Sequence, residues 1–139
     1  MPRKYEYIEH TGDLGFKAYG KTLQELFINA ARALFHVLVS PETIEEKEKR
    51  GVTVEAAALD ELMVSWLGEL LYLFDTQGLL LKGFEIKMLT ENRLEATVRG
   101  EAMDPRRHEI KTGIKAITYH QLYVREENGL WRAQVILDL

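Results

Sequence analysis

Two carboxylates near opposite ends of the chain, Asp13 and Asp138, are the side chains best suited by type and setting to chemistry. Asp13 stands in His10-Thr11-Gly12-Asp13-Leu14-Gly15, where two flanking glycines let backbone and side-chain oxygens converge on a cation. An aspartate in a glycine turn also serves simply to bond its own backbone, so this residue alone leaves both roles open. Asp138 follows the apolar run Val135-Ile136-Leu137 and precedes Leu139, which sets its side chain one residue from a terminal carboxylate. A frayed, exposed end is the plain alternative. If the last strand lies beside the first, Asp13, Asp138 and Leu139 make an all-oxygen site, and hard oxygen ligands favour calcium, magnesium or manganese over zinc.

Further polar groups collect at Gly100-Glu101, at His108 and in Lys115-Ala116-Ile117-Thr118-Tyr119-His120. With His10 they would allow a histidine-containing site, and metal-assisted hydrolysis by Asp13, His108, His120 and Asp138 is the enzyme reading they support. Scattered histidines are commonly structural, and no Ser, His and Asp set stands in a nucleophile context. Gly15-Phe16-Lys17-Ala18-Tyr19-Gly20-Lys21-Thr22 matches the phosphate-binding P-loop letter for letter, which raises nucleotide binding through Lys21. Three features oppose it. Residues 16–19 alternate in size and polarity like a strand, the strand before them is polar rather than fully apolar, and 139 residues leave little room for several βα units.

A formal charge of −4 and a pI near 5.6 argue against nucleic acid as the main partner. One stretch runs the other way, with Arg99, Arg106, Arg107, His108, Lys111 and Lys115 forming either a local basic face or a solvated loop. The absence of cysteine excludes disulfides, thiolate metal sites and thiol nucleophiles together, and fits a reducing, cytoplasmic setting. The charged start is unlike a signal peptide, and no run is long enough to cross a bilayer as a helix.

The elements that must position these residues are legible from periodicity. Tyr5 and Tyr7, then Phe16 and Ala18, alternate with polar neighbours around Gly12, which predicts strand, turn, strand. Thr22 and Glu25 have capping-box spacing, and Leu23, Leu26, Phe27, Ala30, Leu34, Val37 and Leu38 recur at helical intervals, which predicts a first helix over about 22–39. Val52 and Val54 predict a strand. Leu59 to Phe74 carry the most regular apolar stripe and end before Gly78, which predicts a second helix with a glycine cap. Two hairpins follow, one turning at Glu91-Asn92 and one at Asn128-Gly129, while residues 110–119 read equally as strand or short helix. The expectation is one α+β domain over residues 1–139, with two main helices packed on a mixed, mostly antiparallel sheet.

In order and spacing, His10 to Gly15, Asp60 to Leu71, Gly100-Glu101 with His108 downstream, Lys115 to His120, and Trp131 to Asp138 resemble the archease family across essentially the whole chain. Gly12 departs from the family's His-Thr-Ala-Asp form, a small-for-small change that loosens the turn and keeps its carboxylate. The resemblance implies an accessory protein rather than a free-standing enzyme. Archeases activate the GTP-dependent RNA ligase of tRNA splicing, promote its guanylylation and multiple turnover, and broaden its nucleotide use. It further implies a metal-binding role for Asp13, Asp138 and Leu139, with calcium as the ion. Apart from the resemblance, the basic segment around Arg106 and Arg107 is suited to touch the ligase or its RNA, an indirect contact with tRNA. A general chaperone or interaction module is a further alternative.

Overall fold

The computed structural model describes residues 4–10 and 12–139. The chain runs β1 (Tyr5–His10), β2 (Asp13–Gly20), α1 (Leu23–Leu38), β3 (Glu48–Glu55), α2 (Leu59–Gln77), β4 (Leu79–Leu89), β5 (Arg93–Ala102), β6 (Ala116–Ile117), β7 (Tyr123–Glu127) and β8 (Leu130–Asp138). Thr22 caps α1 from an extended backbone, its hydroxyl accepting the Glu25 amide at 3.1 Å. A short 3₁₀ turn, Pro41–Thr43, follows the helix. α2 begins without a side-chain cap but carries Asp60 and Glu61 in its first turn, where the amide ends favour negative charge.

Gly78 ends α2 in the left-handed conformation, φ 67°, its amide bonding back to Leu73 and Phe74. Nothing crowds a Cβ built there, so only the backbone favours glycine. Gly78→Ala is therefore expected to cost about 1 kcal/mol in urea unfolding, with Gly78→Asn recovering part of the loss. An unchanged midpoint in Gly78→Ala would contradict this.

The α+β class and the antiparallel preference are as the sequence indicates, but the single mixed sheet resolves into two sheets. One has the order β1-β2-β8-β6 with β7 also on β8, and the other β3-β5-β4. Every pairing in them is antiparallel. The reason lies in the crossovers: α2 links β3 to β4, yet β5 inserts between those two strands and turns both contacts antiparallel. The last strand lies beside β2 rather than β1, so β2, which presents Phe16 and Ala18 to the core, is paired along both edges. β4 is an edge strand with two irregularities, between Leu81 and Gly83 and between Ile86 and Met88. Residues 110–119 form neither a helix nor a long strand; only Ala116–Ile117 pairs, with Leu137 and Asp138.

Both helices touch strands of both sheets, and one buried cluster joins them. At its centre Trp66 of α2 is fully buried and donates its indole N–H to the Phe27 carbonyl of α1 at 3.0 Å. Among the described residues no helix is long and apolar enough to cross a membrane.

Candidate functional site

Asp13 is the first residue of β2 and pairs with His10 across the turn in which Gly12 takes φ 75°. Thr11 lies outside the described residues. The β2–β8 register pairs Leu14 with Leu137, so one step further along it sets Asp13 opposite Asp138. Opposed residues of an antiparallel pair share a face. That face is the one carrying Gly15 and Ile136, away from the core side of Phe16, Val135 and Leu137. A Cβ on Gly15 would meet Ile136 at 2.7 Å and Ile8 at 2.8 Å, so glycine is what lets these two side chains close over the strand. Asp138 is exposed, Asp13 and Leu139 are partly so, and the Asp138 carbonyl accepts the Lys115 amide at 2.8 Å.

The sequence-predicted carboxylates are thus brought to one end of neighbouring strands. Two carboxylates there, beside the main-chain oxygen of Leu139, match in donor type the oxygen set that a hard divalent cation prefers. Among the described residues, no three His, Asp or Glu side chains gather in a metal-holding arrangement. The hydrolytic set of Asp13, His108, His120 and Asp138 therefore does not assemble. Residues 15–20 lie in β2, which leaves the P-loop pattern as strand followed by a capped helix.

His108 is instead buried in a second polar cluster. The Asp104 amide donates to its Nδ1 at 2.9 Å, so the proton sits on Nε2, which points to the Thr43 carbonyl at 3.0 Å and the Glu101 carboxylate at 3.1 Å. Glu101, only 4% exposed at the end of β5, also receives both arms of Arg107, at 2.8 and 3.0 Å, and the Glu45 amide at 2.6 Å. The Arg107 guanidinium, acting against burial, holds the Glu101 carboxyl down at about 2, with the Glu45 amide and His108 adding to the effect. The basic stretch is thereby divided. Arg107 and His108 turn inward to a carboxylate, whereas Arg106 projects into solvent with Asp104 as its neighbour at 3.4 Å. The sequence showed Glu101 and His108 as polar groups but gave no sign that they bond each other; an acidic residue closing an apolar strand was the available signal.

Over residues 5–139 the chain matches the archease protein family. The archease of Methanosarcina mazei is 40% identical, with 99% of this chain and 97% of that protein aligned. The archease of Thermococcus kodakarensis is 43% identical, with 99% of each chain aligned. The chain belongs to the archease family. Among solved structures, the solution structure of Methanobacterium thermoautotrophicum protein 1598 is 37% identical with a TM-score of 0.84, over 98% of this chain and 99% of that one. The Thermotoga maritima archease, described as a possible chaperone, shares the fold at 21% identity and a TM-score of 0.65, over 95% and 94% of the two chains.

Proposed function

We propose that this archease is an accessory protein, not itself a catalyst, which activates the GTP-dependent RNA ligase of tRNA splicing. In this reading it acts in the cytoplasm, promotes guanylylation of the ligase, sustains multiple turnover and widens nucleotide use. The observation that supports the proposal is membership of the family over residues 5–139 in a chain whose β2–β8 register sets the two candidate aspartates opposite each other on adjacent strands.

Asp13, Asp138 and a main-chain oxygen of Leu139 would hold a hard divalent cation, with calcium favoured over magnesium or manganese. When bound, such an ion concentrates positive charge beside anionic oxygens. The exposed position of Asp138, on the face turned away from the helices, allows this end of the sheet to enter a concave partner. Docked at the mouth of the ligase active site, the two aspartates orient the groups that react there, and the rigid pairing of β2 with β8 fixes their separation before the partner arrives. Arg106, 90% exposed, lies apart from the Glu101 cluster and is suited to touch the ligase or its RNA.

The test is a multiple-turnover RNA ligation assay with the cognate ligase. Wild-type protein is expected to raise the number of turnovers, and Asp13→Ala or Asp138→Ala to return it to the level of the ligase alone. Because Asp138 is on the surface, its substitution should change stability by no more than about 0.5 kcal/mol. Full stimulation by both folded variants would refute the role assigned to the pair.

A further inference from the structure

Where β1, α1 and β4 meet, away from the aspartate pair in every element but the first hairpin, the surface opens into a cleft of about 680 Å³. Its walls bring together Lys4, Arg32, Lys82 and Arg99, four side chains cationic at neutral pH from four separate stretches of chain, and Glu46 is the one carboxylate among the described lining residues. This concentration occurs in a chain whose formal charge is −4. Like charges gathered in this way repel unless an anion lies between them.

Among the described residues, Glu46, whose carboxylate lies over Gly83 beside Arg99, sets one negative charge against these four, and the bonds of three of them go to neutral or shared acceptors. Arg32 donates to the neutral amide oxygen of Asn29 at 3.1 Å, and Lys82 reaches the Ile44 carbonyl at 3.4 Å. Arg99 stands 3.8 Å from Glu85, which is itself more tightly held by Lys87 at 2.9 Å. Arg32 and Arg99 offer planar forks that match phosphate oxygens, and Lys82 adds a mobile point charge. His36, whose Nδ1 shares a hydrogen bond with the Tyr5 hydroxyl, also lines the cleft. Tyr5 and the half-buried Phe84, which packs against Phe35 and Trp66, supply aromatic surface beside the cations. The volume lies within the roughly 300–1,000 Å³ typical of sites for small organic ligands.

We propose that this cleft binds a nucleoside polyphosphate, with Arg32, Lys82 and Arg99 on the phosphates and the Tyr5 side of the cleft against the base. The site uses no residue of the aspartate pair and does not depend on activation of a ligase. The full chain would be titrated calorimetrically with GTP, ATP, AMP and inorganic tripolyphosphate, alongside a short single-stranded RNA. GTP and ATP should bind more tightly than tripolyphosphate, which lacks a base, and much more tightly than AMP, with affinity falling as salt rises. Arg99→Gln and Lys82→Gln, both at solvent-accessible positions, should each weaken GTP binding by roughly tenfold. Tyr5→Leu should weaken GTP but not tripolyphosphate, and Asp138→Ala should bind GTP as wild type does, whatever its effect on ligation. Failure of GTP and ATP to bind, binding indifferent to Arg99 and Lys82, or preference for RNA over the triphosphates would each overturn the proposal.

Discussion

Glu101→Ala is expected to lower the unfolding free energy by about 3 kcal/mol, among the largest losses open to a single polar side chain in this protein. The substitution strips the partner from two arms of Arg107, from Nε2 of His108 and from the Glu45 amide at once. His108 is fully enclosed and cannot turn to water, whereas the Arg107 side chain is 37% exposed and hydration offsets part of its loss. The low end of the range for a broken buried pair follows. Glu101→Gln keeps the shape and one acceptor, and should cost less, roughly 1.5–2 kcal/mol.

Acid supplies the sharper test. The folded carboxyl titrates at about 2, against 4.5 for the group in the unfolded chain. A depressed carboxyl gives stability that is fully present above the unfolded value and is lost as pH falls through the folded one. The difference between wild type and Glu101→Gln in urea unfolding should therefore be constant above about pH 4.5, shrink below it and approach its minimum near pH 2. A gap that stays constant over that interval would mean that the carboxylate charge is not what holds the cluster.

Trp66→Ala should destabilise by about 4 kcal/mol, or close to 10 °C or more in thermal unfolding. Trp66 is inaccessible to solvent, meets the Phe84 ring edge-on at 6.4 Å between centroids, and bonds across to α1 through Phe27. The alanine variant loses the transfer energy of the indole and leaves a cavity between the helices and the second sheet. Trp66→Phe separates the contributions. It retains most of the volume and gives up the N–H bond, so a cost of about 1–2 kcal/mol is expected. If both variants lose equally, the hydrogen bond rather than packing dominates.

Local signals carried much of the fold. The stripe from Leu59 to Phe74 and its glycine stop specify α2, the Thr22 cap specifies the start of α1, and Asn128-Gly129 gives the last hairpin its pair of left-handed residues, φ 53° and 77°. Each depends on residues within a few positions of one another. The division into two sheets does not, because period-two alternation says which face is buried and not which strand lies alongside. Residues 110–119 were ambiguous for a similar reason. Their bonds run to distant partners, Lys111 to Leu38, Lys115 to Asp138 and Thr118 to Ile136, and no pattern within the segment encodes them.

The candidate site divides in the same way. Asp13 was visible as a carboxylate in a glycine turn and Asp138 as a charge closing an apolar strand, while their opposition depends on the β2–β8 register. Burial of Glu101 required Arg107 and His108 to fold back from a loop that composition presents as a basic patch. The cationic cleft was hidden more completely, since Lys4, Arg32, Lys82 and Arg99 are scattered through the chain and converge only when β1, α1, β4 and β5 pack.

The interruptions in β4 bear on behaviour in crowded solution. An uninterrupted outer strand offers its free amides and carbonyls to any similar strand that drifts past, the first step toward fibrils. Here the displaced register around Lys82 and again before Met88 spoils the repeat on one margin of the three-stranded sheet, and Glu85 and Lys87 add alternating charge. The opposite margin, β3, begins Glu48-Lys49-Arg50. Both open borders of that sheet are thus poor templates for recruitment, which disfavours strand-to-strand association at either edge.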